Sequence, residues 1–138
     1  MTGLKINELK LGQKSSFSKT ITETDVYLFA GISGDINPAH LNESYAKGTF
    51  FEGRIAHGML TGALISAVLG VHLPGPGTVY VSQTLNFLAP VRFGDTITAT
   101  VEIKEIILEK NRVILKTYCT NQDGDIVTTG EAIVLPPK

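Results

Sequence analysis

The sequence predicts an α+β fold in which a curved antiparallel sheet wraps around one long buried helix. Three observations carry that expectation. Residues 58–71 are apolar and contain neither proline nor a charged side chain. Four β-rich runs follow, separated by explicit turn signals. A helix that is hydrophobic nearly all round needs a surface to cover it, and a sheet built from those runs is the economical cover.

The elements follow in chain order. Residues 14–21 predict a strand. Thr22 or Thr24 caps a helix running to about Ile32, with Asp25 in its first turn. Next comes Ser33-Gly34-Asp35-Ile36-Asn37-Pro38-Ala39-His40-Leu41. Gly-Asp and Asn-Pro are ordinary turn dipeptides. Pro38 pushes Asn37 out of helical geometry, and residues five apart on a regular helix point to different sides. A folded loop instead turns Asp35 and His40 toward one point. An acid and a base aimed at one spot can move protons without a cofactor.

The apolar run carries small residues at Gly58, Gly62, Ser66 and Gly70, a single stripe at helical spacing. Leu60, Leu64, Val68 and Val71 form a second, bulky stripe. The small stripe allows a close approach of backbone or ligand. The run is shorter than the roughly 20 residues that span a bilayer, so a membrane helix is not expected.

The second half reads as strands. Residues 77–88 form a β-rich run with Val79, Val81, Leu85 and Phe87 on one face. Ile97, Ala99, Val101 and Ile103 alternate with polar neighbours, the period of a half-buried strand. Residues 113–120 and 126–134 complete the set, with turns at 93–95, 109–112 and 122–125. An open sheet leaves edges, and pairing two subunits would protect them, so a homodimer is expected.

Composition narrows the function classes. At 138 residues the chain suits a single domain spanning 1–138. Twelve basic and thirteen acidic residues nearly cancel, which speaks against a nucleic-acid partner. Cys119 is alone, so no intrachain disulfide forms, and the start lacks the apolar core of a signal peptide. A cytoplasmic location is expected. Three histidines and one cysteine show no ligand-like spacing, and no glycine-rich phosphate loop is present. Neither a metal nor a nucleotide cofactor is expected. His57 reads best as a buried histidine satisfied by backbone, and His72, near the helix C-terminus, as structural.

Three segments together resemble the MaoC-like, (R)-specific enoyl-CoA hydratases. They are Gly-Asp-x-Asn-Pro-x-His at 34–40, Ala-His-Gly-Met-Leu at 56–60 and Leu-Asn-Phe-Leu-Ala-Pro-Val at 85–91. The similarity covers nearly the whole chain, including the segments at 11–14 and 90–95. It implies the hot-dog fold, a dimer and an acyl-CoA thioester substrate, with reversible addition of water to a trans-2-enoyl-CoA. Asp35 and His40 match the family's catalytic pair, with either one able to serve as acid or base; Asn37 orients the loop, with an equal alternative as a turn residue before proline. The backbone N–H of Gly58 matches the donor to the thioester oxygen, a role suited to a helix start.

By the same similarity Ser66, Leu69 and Val134 line the acyl pocket. Ser66 has an equal alternative as a small core serine bonding a carbonyl one turn back. Arg54, Lys47 and Arg92 are candidates for the CoA phosphates, with nothing to single one out. The alternatives on this fold are a carrier-protein dehydratase, a thioesterase, or a non-catalytic acyl-thioester binding module.

Overall fold

The computed structural model describes residues 1–138. Strand β1 is Lys14–Thr20 and helix α1 is Glu23–Ser33. Two short helices follow, α2 Pro38–Leu41 and α3 Glu43–Lys47, and then α4, Gly58–Ala67, which widens into a π turn at Val68–His72. The remaining strands are β2 Val79–Gln83, β3 Asn86–Phe87, β4 Thr96–Ile107, β5 Arg112–Thr120 and β6 Ile126–Leu135. All pairings are antiparallel, in the order β1-β4-β5-β6-β2, with β3 also on β6.

Local chemistry explains α1. The Thr22 side chain accepts a hydrogen bond from the Asp25 N–H at 3.1 Å, and an Asp25 carboxylate oxygen accepts from the Thr22 N–H at 2.9 Å. Two free donors of the first turn are satisfied reciprocally.

The core lies between α4 and the sheet. Alternation in β4 turns Ile97, Ala99, Val101 and Ile103 inward, and all four are buried. Val113 and Leu115 of β5 and Ala132 and Val134 of β6 continue that layer. Leu60, Leu64, Ile65, Val68 and Leu69 cover it from the helix side. Each fully buried Val, Leu or Ile contributes about 1.5–3 kcal/mol of burial energy.

Two expectations are corrected. The apolar helix is not buried all round. Ser66 and Gly70 of the small stripe and Val71 of the bulky stripe are exposed, because the sheet covers only one face. The run at 77–88 is not one strand but two, and Val79, Val81 and Phe87 are exposed. The break lies at Thr84, whose backbone crosses directly over Gly130 of β6. The Thr84 N–H donates to the Glu131 carbonyl at 2.9 Å, and the Glu131 N–H donates to the Thr84 hydroxyl at 3.0 Å. The chain is thereby pinned at the crossing.

Cys119 is buried, and desolvation pushes its thiol up to about 12. A buried thiol of this kind is inert rather than nucleophilic. No helix is long and apolar enough to cross a membrane.

Candidate active site

The segment after α1 is shaped by its own polar side chains. The Asp35 N–H donates to the Ser33 hydroxyl at 3.1 Å, and the Asn37 N–H reaches a carboxylate oxygen of Asp35 at 3.3 Å. Asn37 has non-helical backbone geometry (φ −51°, ψ 127°), and its side-chain oxygen accepts from the Ala39 N–H at 3.0 Å. It therefore caps α2, with Pro38 in the first turn where a missing N–H costs nothing. That single turn of helix presents His40. Short helices α2 and α3 were not foreseen from the sequence, because neither is long enough to show a period.

His40 is 8% exposed, and its Nδ1 lies 2.7 Å from the Ile55 carbonyl oxygen. A carbonyl only accepts, so the hydrogen sits on Nδ1 and the lone pair on Nε2. One Asp35 carboxylate oxygen and one ring nitrogen each of His40 and His57 lie within 4.8 Å of one another. The folded segment thus brings Asp35 and His40 together as expected. His57 joins them from 22 positions beyond Asp35, its Nε2 2.8 Å from the Asp35 carbonyl oxygen.

His57 also forms the N-cap of α4, so the next amide, that of Gly58, begins the helix. The Gly58 N–H has no protein acceptor, and Gly58 lines a cavity beside the helix start. One turn on, the Thr61 hydroxyl donates to the Gly58 carbonyl at 2.6 Å and lies 2.8 Å from the Thr128 hydroxyl. Both threonines are buried, so this pair ties the helix start to β6.

The cavity has a volume of about 430 Å³. Asp35, His57, Gly58, Thr61 and Thr128 give it a polar side. Its apolar wall includes Phe50, Phe51, Met59, Phe87, Leu88 and Val91. Sequence reasoning missed the aromatic residues, which come from two separate segments and share no periodic signal. The cavity does not reach Ser66, Leu69 or Val134. Ser66 faces outward on α4, while Leu69 and Val134 are closed in the core.

Arg54 is not a free cation. It donates to Glu23 at 3.0 Å, to Glu43 at 3.1 Å and to the Tyr27 hydroxyl at 2.9 Å. The Tyr27 bond first, then the two carboxylates, hold its guanidinium above its ordinary range. Bonds from Tyr27 and Arg54 in turn hold the Glu23 carboxyl below its usual range. Lys47 and Arg92 are exposed and form no ion pair.

The group of Asp35, His40 and His57 is poorly shaped for a shared metal ion. The two imidazole rings pack on each other at 3.8 Å with a tilt of 31°, and one nitrogen of each is committed to a backbone carbonyl, Nδ1 of His40 to Ile55 and Nε2 of His57 to Asp35. Tetrahedral ligation needs lone pairs that converge on one point.

A buried helix on an antiparallel sheet, with a carboxylate and an imidazole beside an unpaired helix-start amide, defines an acid–base site next to an apolar cleft. Residues 7–123 match the MaoC like domain, and the chain belongs to that family. Over 130 residues it is 56% identical to the (R)-specific enoyl-CoA hydratase of Rhodospirillum rubrum, covering 94% of this chain and 90% of that one. It is 50% identical to the 3-hydroxybutyryl-CoA dehydratase of Methylorubrum extorquens over 98% of this chain and 85% of the relative. The fold is the hot-dog fold. It superposes on the unliganded R-hydratase PhaJ1 of Pseudomonas aeruginosa with a TM-score of 0.94 at 47% identity, over 99% of this chain and 88% of that one.

Proposed function

We propose that this protein is an (R)-specific enoyl-CoA hydratase, adding water reversibly and syn across a trans-2-enoyl-CoA to give the (R)-3-hydroxyacyl-CoA. The observation that carries the assignment is the Asp35–His40 pair, within 4.8 Å, beside a cleft with an apolar wall. Hydrogen bonds to water span about 2.7–2.9 Å, so a separation of this size suits one bridging water. It donates one hydrogen to the Asp35 carboxylate and the other to Nε2 of His40. Its oxygen lone pair is then left free to meet C3 of the enoyl group.

Asp35 holds and activates that water, and His40 takes its proton and relays it to C2. One O–H bond and the C2=C3 π bond break, a C3–O and a C2–H bond form, and the pair returns to its starting state. Both new bonds come from one side of the double bond, which gives syn addition. Negative charge builds on the thioester oxygen as C3 is attacked. The unpaired Gly58 N–H, at a helix start, is the donor for that charge. A Cβ at position 58 would meet the Phe87 ring at 2.9 Å, so glycine there keeps room beside the amide. Asn37 orients the pair by capping α2.

No step needs a cofactor, since coenzyme A arrives as part of the substrate. Short acyl chains fit the cavity beside Met59 and Phe87. Ser66, Leu69 and Val134 lie outside this cavity, so longer chains reach them only where the core beyond Thr61 opens. A single domain working in the cytoplasm completes the assignment. Mixing the protein with crotonyl-CoA is expected to remove the ultraviolet absorbance of the conjugated thioester without releasing free thiol. Thiol release would mean hydrolysis and would reject the assignment.

A homodimer is part of the same proposal. Strand β2 is a sheet edge, and Val79 and Val81 on it are exposed. Met59 on the outer side of α4 is 55% exposed. An exposed apolar edge invites pairing, and a second copy of this chain offers the same edge. Sedimentation at micromolar concentration is expected to give twice the chain mass, and a stable monomer would remove the dimer.

A further inference from the structure

We propose that His57 is a positioning residue for the acid–base pair, a role that rests on the assignment of Asp35 and His40 above. Its side chain is 2% exposed and touches both members. Nε2 lies 2.8 Å from the Asp35 carbonyl oxygen. That oxygen only accepts, so the hydrogen of His57 sits on Nε2. The ring packs on His40 with centroids 3.8 Å apart and a tilt of 31°, and Phe29 packs on the same ring at 4.9 Å. The residue is also joined covalently to Gly58. One residue therefore meets the carboxylate's backbone, the imidazole's face and the amide at the helix start.

Nδ1 of His57 identifies what the imidazole is for. It is fully buried and has no hydrogen-bond partner. An unpaired buried polar atom costs about 1–3 kcal/mol, a cost that a phenylalanine ring in the same place would avoid. The side chain is held for its Nε2–H donor and not for packing alone. That donor fixes the peptide plane from which the Asp35 carboxylate departs. That packing, with the Nδ1 bond to Ile55, restricts rotation of the His40 ring. Loss of the donor lets the pair drift apart, and small misplacement of reacting groups slows the chemical step more than it weakens binding.

Two variants separate the contributions. His57→Phe keeps a ring to pack on His40 and removes the donor. His57→Gln removes the ring but places an amide N–H within reach of the Asp35 carbonyl. With crotonyl-CoA, His57→Phe is expected to lower kcat by about 10- to 100-fold, with KM within about threefold of the parent. His57→Gln recovers part of that loss. Nitrogen-15 NMR of histidine-labelled parent protein is expected to show His57 with its hydrogen on Nε2. This readout decides the matter even where a variant fails to fold. Parent-like kcat in His57→Phe, a change confined to KM, no recovery with glutamine, or the hydrogen on Nδ1 would each overturn the role. Asp35→Asn and His40→Ala run alongside: if they stay active, the pair itself falls, and that outcome is distinct from failure of His57 alone.

Discussion

Asp35→Asn and His40→Ala each remove most hydration of crotonyl-CoA while leaving the protein folded. The expected loss is about 100- to 10,000-fold in kcat, the usual range for a positioned acid or base. The two variants act differently. Asparagine keeps the size of the Asp35 side chain and an oxygen for the Asn37 N–H, now 3.3 Å away. It removes the charge that draws a hydrogen of the water. Asp35 is exposed in the single chain, so its replacement has little effect on the core. Alanine at position 40 removes the imidazole and leaves the Ile55 carbonyl without its 2.7 Å partner. Leaving that buried acceptor unpaired costs about 1–3 kcal/mol, less than the stability of an ordinary domain. Steady-state kinetics and thermal unfolding measured together separate the two effects. Unaltered turnover in either variant would reject the pair.

Gly130→Ala destabilises the fold by roughly 3 kcal/mol or more, at the upper end of overpacking costs. A Cβ at position 130 would fall inside the van der Waals shell of the Thr84 carbonyl oxygen, with the carbonyl carbon at 2.8 Å. The obstacle is backbone, which cannot swing aside as a side chain can. Thr84 is fixed by its two bonds to Glu131, and Gly130 is paired with Thr117 inside the sheet. Relief requires β6 to separate from the crossing chain. The melting temperature is expected to fall by roughly 10 °C. A change of only a degree or two would show that the crossing is softer than its bonds imply.

That crossing also marks where sequence reading failed. The pattern at 77–88 is continuous in hydrophobicity, and only a glycine 46 positions after Thr84 explains why the strand breaks there. A contact between distant residues leaves no local period to read. The capping exchange between Thr22 and Asp25 lies within three residues, and β4 alternates over its inward face, so both were legible. The outward face of α4 was misread because an all-apolar helix carries no sign of which side the sheet covers. Exposure of Val79, Val81 and Met59 is likewise a property of tertiary placement.

The site divides the same way. Asp35, Asn37 and His40 sit in one short segment whose turn chemistry is local, so their meeting could be inferred. Gly58 was legible as the start of an uncharged run. His57 was expected to be buried and bonded to backbone, and its Nε2 does bond a carbonyl. That the carbonyl is Asp35's, and that Nδ1 is left unpaired, required the fold. The aromatic cavity wall joins Phe50 to Phe87 across 37 positions, beyond any spacing rule.

The central claim is that one water, held between Asp35 and His40, supplies both the hydroxyl and the proton to one side of the double bond. Hydration of crotonyl-CoA in deuterium oxide, followed by NMR analysis of the product, tests it most directly. The expected product is (R)-3-hydroxybutyryl-CoA carrying a single deuterium at C2, on the same side as the new hydroxyl. An (S) alcohol, or deuterium delivered to the opposite side, would contradict it.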